Sequence, residues 1–255
     1  SVTRELDLVD KAFVPEADGG FVRPLAKGGL TWIDDDTVYA TTDHGPGSLT
    51  RSGYPRTVRR WRRGTPLAEA EIVFEGDEAD IVVGAAVGTL PGGRHHLFQR
   101  MLDFYTSETW IIPDGAAPGA EPVRIDVPID IEVSVHGPWL TLSLRKDWTL
   151  GGTTHPGGSL LIVDVDGYLA GASIPAAVFT PTAHRALAGH TWTRSRLVLN
   201  VLDDVRNRIE VVHPDAQGAR AARPITDLPD VWSLDVAAVD ADTCDDVWLV
   251  ANDFL

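Results

Sequence analysis

The chain contains a single cysteine, Cys244. A lone thiol closes no internal disulfide, so a secreted disulfide-stapled scaffold is excluded. Positive charge is also scarce: 22 Lys and Arg against 37 Asp and Glu leave a formal net charge of −15. That acidic balance argues against nucleic acid or an anionic membrane as the main partner. No window approaches the roughly 18 apolar residues that would suggest a spanning helix. The opening SVTRELDLVD is charged and lacks the apolar core of a signal peptide. The expected location is cytoplasmic, although a cleaved signal would leave no trace and export stays open. The first residue is not methionine and the last five are ANDFL; both ends read as cut from something longer.

Helical periodicity is missing too. No segment sustains a 3.6-residue period over three turns. The best helix candidate, Leu97 to Tyr105, is one or two turns at most. It carries Phe98, Phe104 and Tyr105, which suit a strand equally. At 255 residues and 44% hydrophobic, the chain can nonetheless bury a sizeable core.

What is present is a succession of short runs rich in Val, Ile, Leu, Trp and Tyr, punctuated by Gly, Pro and Asp. They fall into groups. The first is Thr31 to Ile33, Thr37 to Thr42, Thr57 to Trp61 and Ile72 to Phe74. The second is Ile81 to Val87, Phe98 to Tyr105, Glu108 to Ile112 and Val123 to Ile125. The third is Ile131 to Val135, Trp139 to Arg145, Ser159 to Asp164 and Ala177 to Phe179. The fourth is His190 to Thr193, Arg196 to Asp203, Arg208 to His213 and Arg220 to Pro224. A last group holds only Trp232 to Val239 and Asp246 to Ala251.

A degenerate repeat of strand, tight turn and strand recurs at Trp32–Tyr39, Tyr105–Trp110, Val135–Leu140, Trp192–Val198 and Val239–Trp248. The later units begin roughly 40 to 50 residues apart, the spacing of four-stranded propeller blades. A lone blade has two apolar faces and buries both only by stacking on neighbours. The fold expected is therefore all-β, an incomplete β-propeller forming one domain over 1–255. Its blades fall near 22–76, 79–128, 130–180, 188–227 and a truncated 232–255. A β-sandwich pair is the alternative. Four and a half units do not close a ring. The missing blades lie outside this sequence, or an open arc exposes faces and edges that a homodimer would cover.

Few residues suggest chemistry. Ser48, Ser52, Ser159 and Ser173 lie near glycines. Only Gly171-Ala172-Ser173-Ile174-Pro175 approaches a nucleophile elbow, and proline stands where its second glycine belongs. The adjacent His95 and His96 would point to opposite faces of a strand. His44, His136, His155, His184, His190 and His213 stand singly, with no His-Glu-x-x-His or Cys-x-x-Cys. Asp34–Asp36, Asp203–Asp204 and the run from Asp240 to Asp246 lack calcium-loop spacing and read as solvated turns. Cys244 lies among carboxylates that disfavour its thiolate. Arg56 to Arg63 holds five arginines, with Arg59, Trp61 and Arg63 on one strand face and Arg60 and Arg62 on the other. In so acidic a chain these read as partners of local carboxylates or of another domain rather than as a nucleic-acid patch. The Gly-rich stretch from Gly151 to Gly158 lacks the lysine of a phosphate loop and reads as a long hairpin connection. No catalytic, cofactor-binding or metal residue is assigned, and no cofactor.

Several strings resemble the N-terminal β-propeller of the prolyl oligopeptidase family of serine peptidases. They are Asp34–Tyr39, Thr42–Thr50, Ser52–Arg56, Val58–Leu67, Phe104–Glu108, Leu199–Asn207 and the segment from Asp246 to Leu255. The resemblance implies a seven-bladed propeller that caps an α/β-hydrolase domain, admits short peptides and excludes folded proteins. The hydrolase domain of the same parent chain would carry a Ser-Asp-His triad cleaving after proline. No position here matches those catalytic motifs. The resemblance thus implies a non-catalytic portion whose partners are that hydrolase domain and, transiently, short peptides. Two other classes stay open. One is an independent propeller-like module binding peptide or protein at one rim. The other is an enzyme, such as a lyase or glycosidase, working at the propeller axis. The latter needs convergent carboxylates or histidines, and Ile81–Val83, Ile131–Val133 and Val236–Ala238 are mostly bland.

Overall fold

The computed structural model describes residues 1–252 apart from 91, 216, 217, 220, 221, 227 and 229–232. The expected strand starts at Arg220 and Trp232, and the last three residues, lie outside the described residues. The chain divides into two compact units, Ser1–Gly88 with Arg94–Ile129 and Thr89–Gly93 with Asp130–Leu255.

The first unit holds two four-stranded antiparallel sheets. One runs β1 (Gly29–Asp34), β2 (Thr37–Thr41), β3 (Thr57–Arg62) and β4 (Glu71–Glu75) in sequence order. The other does the same with β5 (Val82–Val87), β6 (His96–Met101), β7 (Ser107–Ile112) and β8 (Val123–Arg124). Side chains alternate across a strand, and Thr37-Val38-Tyr39-Ala40-Thr41 uses this fully. Val38 and Ala40 face a cluster with Trp61 and Phe21. Tyr39 faces the opposite cluster, with Val58, Val83 and Phe98. The first sheet is therefore buried on both sides, by the second sheet on one and by residues from the N-terminal segment on the other.

That segment forms short ladders, Thr3–Arg4 with Val22–Arg23 and Leu6–Asp7 with Ala12–Phe13, and a 3-10 turn at Glu16–Asp18. Gly20 allows its close approach, since a Cβ there would lie 2.3 Å from the Val14 carbonyl oxygen. Arg23 is wholly buried. Its guanidinium donates to the carbonyls of Ser1, Ala26 and Gly28 and to the hydroxyls of Thr3 and Thr42. A buried cation must be hydrogen-bonded or leave, and here it laces the segment to the end of β2.

The second unit holds the sheet β9 (Glu132–His136), β10 (Trp139–Ser143), β11 (Leu160–Asp164) and β12 (Ala176–Phe179). A further sheet is β13 (Arg185–Trp192), β14 (Leu197–Asp203), β15 (Arg206–Val212) and β16 (Arg223–Pro224). A two-stranded hairpin follows, β17 (Ser233–Ala238) with β18 (Val247–Asn252). Leu160, Ile162 and Phe179 pack against Trp192, Leu197, Leu199 and Val201 between the two sheets. Trp192 Nε1 donates to Thr141 Oγ1 across that core, at 3.0 Å. Val198, Ile209 and Leu234 form the next cluster, toward the hairpin. The architecture is all-β, an incomplete propeller of four four-stranded blades and part of a fifth.

The helix-or-strand segment Leu97 to Tyr105 is strand to Met101 and then a turn. Asp103 Oδ1 accepts from the Tyr105 and Thr106 amides at 2.7 and 2.8 Å and ends the ladder there. One short helix, α1 (Val165–Leu169), was not expected. Asp164 caps it by accepting from Gly167 N at 2.6 Å. The Gly-rich connection holds a small hairpin, Trp148–Leu150 with Thr153–His155.

Candidate functional site

The most site-like feature of the first unit is a cavity of about 490 Å³ where the β1–β4 and β5–β8 sheets face each other at one rim. The end of β1 brings Asp34, the pairing of β2 with β3 sets Tyr39 opposite Arg60, and the start of β6 brings His96. The connection from Pro113 to Pro122 forms the remaining wall. Tyr39 and His96 are hydrogen-bonded, Oη to Nδ1 at 2.6 Å, with rings edge to face. Burial pushes the Tyr39 phenol up to about 12, with Arg60 pulling the other way. Burial likewise pushes His96 down, the charge of Arg94 adds to this and Asp114 opposes it. Both groups are therefore neutral near pH 7.

Most charged groups of this cavity are engaged by neighbours, while Glu121 lines it at the exposed side. Arg60 pairs with Glu71 at 2.5 Å. Arg94 donates to the Ile33 carbonyl at 2.6 Å, and its own amide donates to Asp114 at 3.2 Å. Asp34 accepts from the Asp36 amide at 2.9 Å. The cavity offers a hydrogen-bonding wall without a poised nucleophile and base.

The serines singled out from sequence sit in connections between strands, Ser159 buried immediately before β11. Ser173 follows α1 and precedes β12, with its amide donating to the Gly167 carbonyl at 3.0 Å. A nucleophile elbow has the reverse order, strand then helix. Ser48 Oγ donates to the Gly45 carbonyl at 2.7 Å, and Ser52 Oγ to that of Ile81 at 2.5 Å. Among the described residues no serine hydroxyl is shown bonded to a histidine ring. Ser195 Oγ instead donates to Asp245 at 2.7 Å, and Thr193 Oγ1 to the same carboxylate at 2.6 Å. Burial pushes Asp245 up, but these hydroxyls and the Ser195 amide outweigh it and hold the carboxyl below its usual range.

The histidines are dispersed. His95 is buried and accepts from the Asp114 amide, while His96 faces Tyr39, so the two rings diverge as strand geometry requires. His136 stacks on Trp192 with centroids 5.0 Å apart. His184 bonds Asp204 at 2.7 Å in the open. Among the described residues no group of three His, Cys, Asp or Glu is placed to hold a metal ion. Cys244 Sγ lies 3.6 Å from the Asp240 carbonyl in the β17–β18 turn. The arginine run is largely spent on local carboxylates: Arg56 with Glu75, Arg60 with Glu71, and Arg63 with Glu5 and Asp36. The Tyr39–His96 pair was not foreseen, because two residues 57 positions apart meet only through sheet stacking.

No family model matches the chain. An uncharacterized peptidase of Sinorhizobium fredii is 32% identical over 214 residues, 82% of this chain and 29% of its own length. An uncharacterized peptidase of Rickettsia prowazekii is 25% identical over 228 residues, 81% of this chain and 30% of its own. Among solved structures, a post-proline cleaving enzyme from Rickettsia typhi superposes with a TM-score of 0.80 at 22% identity. That match covers 92% of this chain and 36% of the enzyme. Oligopeptidase B from Trypanosoma brucei gives 0.59 at 13% identity, covering 85% of this chain and 29% of that one.

With the four-stranded sheets, these likenesses define the class: an incomplete β-propeller of the kind found in oligopeptidases. Within that class the chain is similar to part of the N-terminal propeller of the prolyl oligopeptidases, as its sequence strings indicated. It spans about 30% of the length of the curated relatives it matches. No helix among the described residues is long and apolar enough to cross a membrane.

Proposed function

We propose that this chain is the propeller portion of a prolyl oligopeptidase-like serine peptidase. In this reading it forms a single domain that governs entry of short peptides to an α/β-hydrolase domain elsewhere in the parent chain, and is itself non-catalytic. The carrying observation is the superposition on a post-proline cleaving enzyme, which covers nearly all of this chain and about a third of that one. The Tyr39–His96 and Arg60–Glu71 pairs and the bond from Arg94 to the Ile33 carbonyl, which engage these groups structurally, support the same reading.

The test uses the isolated 255-residue chain and the parent protein with and without it. The isolated chain is expected to leave a fluorogenic prolyl dipeptide intact. The parent lacking it is expected to accept longer polypeptides that the whole parent refuses. Turnover by the isolated chain defeats the non-catalytic assignment. An unchanged size limit in the shortened parent defeats the gating role.

A further inference from the structure

Four short links, each joining the first and second strands of its sheet, meet in the second unit. They are Thr89–Gly93 between β5 and β6, the Gly137-Pro138 turn after β9, residues 193–196 after β13 and residues 239–246 after β17. Each touches the next. Gly93 lies against the Gly137 backbone so closely that a Cβ on it would stand 2.3 Å from the Gly137 Cα, and the buried Leu90 lies against the same turn. His136, one residue before Gly137, stacks on Trp192 with ring centroids 5.0 Å apart. Asp245 accepts from Thr193 Oγ1, the Ser195 amide and Ser195 Oγ at 2.6, 2.7 and 2.7 Å. The Arg194 amide donates to the Cys244 carbonyl at 3.0 Å. Thr89 Oγ1 then donates to Asp242 Oδ1 at 2.6 Å and closes the circuit. The charge of Asp242 also reaches the His136 ring, where it opposes the burial that pushes that ring down. The acidic turn therefore faces the β9–β10 turn as well as Thr89.

The links are unequal. One rests on packed backbone, one on stacked rings and one on four hydrogen bonds. The fourth is a single hydrogen bond between two exposed side chains. Such a bond favours the closed arrangement by about tenfold. Opening it breaks no ladder hydrogen bond, because Thr89 and Asp242 both lie between strands. The circuit therefore opens first at Thr89. We propose that the Thr89–Asp242 tie is a size-selecting latch, which narrows the axial opening at this rim when closed and widens it for longer peptides when released. This inference rests on the reading of the chain as the portion that governs peptide entry. Blades surround a central channel, and a peptide moving along it passes between the links of the first strands. The tie draws those links together.

The test compares Thr89→Val, which removes the donor at nearly constant size, with Thr89→Ser, which keeps it. In the full chain, amide hydrogen exchange over residues 88–95 should quicken about tenfold in Thr89→Val, at an unchanged melting temperature. Thr89→Ser should exchange as the unaltered chain does. In the parent peptidase, Thr89→Val should cleave a long prolyl polypeptide about tenfold faster, the same factor by which the tie is weakened. Its turnover of a prolyl dipeptide should not change. Unaltered exchange in Thr89→Val overturns the latch, and so does an equal gain in Thr89→Ser, since the hydroxyl would then not be the holding group. Quickened exchange with an unchanged size limit overturns it too. If the parent lacking this chain nevertheless accepts longer polypeptides, the gating reading stands and only the latch falls. If that shortened parent keeps the original limit, both fall together.

Discussion

The first sheet and the last hairpin meet the same physical problem and end differently. Each has one face turned to a neighbouring sheet and one turned outward. The outward face of the first sheet is covered by the N-terminal segment: Phe21 sits edge-on to Trp32 and Trp61, at 5.5 and 4.8 Å, and is 1% exposed. Arg63 stacks on Phe21 and binds Glu5 with both Nη atoms at 2.9 and 3.0 Å. The outward face of the last hairpin carries Trp248 and Val250, which are 65% and 53% exposed. Their opposite-face neighbours Leu234, Val236 and Val247 pack into a core. A blade face is apolar because it is built to be covered, and the contrast shows what covering supplies: aromatic burial and a bidentate ion pair.

The largest expected effect follows from removing the cover. Phe21→Ala should cost about 3–5 kcal/mol, the usual toll for truncating a buried aromatic. The loss would appear as a lower denaturant midpoint with an unchanged slope. A loss under about 1 kcal/mol would mean that the segment rests on the sheet without stabilising it, and the comparison would fail.

Next comes Glu5, which accepts from Arg63 and from the Phe21 amide. Glu5→Gln should cost about 1.5–3 kcal/mol, the range for hydrogen bonds to charged groups. The hydrogen bond from Arg63 is the main reason its carboxyl lies below the ordinary 4.5, with burial opposing and the Phe21 amide assisting. A depressed carboxyl binds fewer protons folded than unfolded. Its contribution is therefore complete above about 4.5 and is lost as pH falls through the folded value. Melting curves below pH 4.5 should accordingly flatten in Glu5→Gln, and parallel limbs would refute the assignment.

Strands were legible in the sequence because their alternation is local. Thr37 to Thr42 was expected and Thr37–Thr41 is found; Trp139 to Arg145 was expected and Trp139–Ser143 is found. The cover over the first sheet was not legible. Phe21 and Glu5 lie in a segment whose ladders are two residues long, too short for any periodic signal. The helix Val165–Leu169 was missed for the same reason: five residues show no helical period, and only the Asp164 cap announces it. The arginine run was legible in its division between faces, because β3 keeps a period of two. Which arginine would lack a carboxylate depended on where Glu5, Glu71 and Glu75 fall in the fold, and β-strand spacing does not encode that.

A smaller effect should be common to both units. Burial holds His96 in the first unit and His190 and His136 in the second below the ordinary 6.5. Unfolded chains bind protons at these rings before folded ones do. Stability is therefore full above about 6.5 and declines as pH falls from there through the folded values. Thermal melts between pH 7 and pH 5 should show this decline, and His190→Gln should shallow it. Glu5→Gln should leave this upper limb untouched, which separates the general acid response from the one belonging to the cover.

The smallest effect on stability should come from the uncovered face. Trp248 buries little, so Trp248→Ser should change the unfolding free energy by no more than about 0.5 kcal/mol, against several for Phe21→Ala. Its consequence should instead appear between molecules. β18 pairs only with β17, and among the described residues no strand lies on its other edge. An apolar face beside an open edge is a template for a further strand. The unaltered chain should therefore self-associate with rising concentration in sedimentation velocity, by covering this face with a second copy. Trp248→Ser combined with Val250→Lys should return it to a monomer at unchanged melting temperature. Association that persists in the double variant would place the contact elsewhere. A fall in melting temperature as large as that of Phe21→Ala would mean that Trp248 is as well covered in solution as Phe21, and the contrast between the two ends of the fold would be gone.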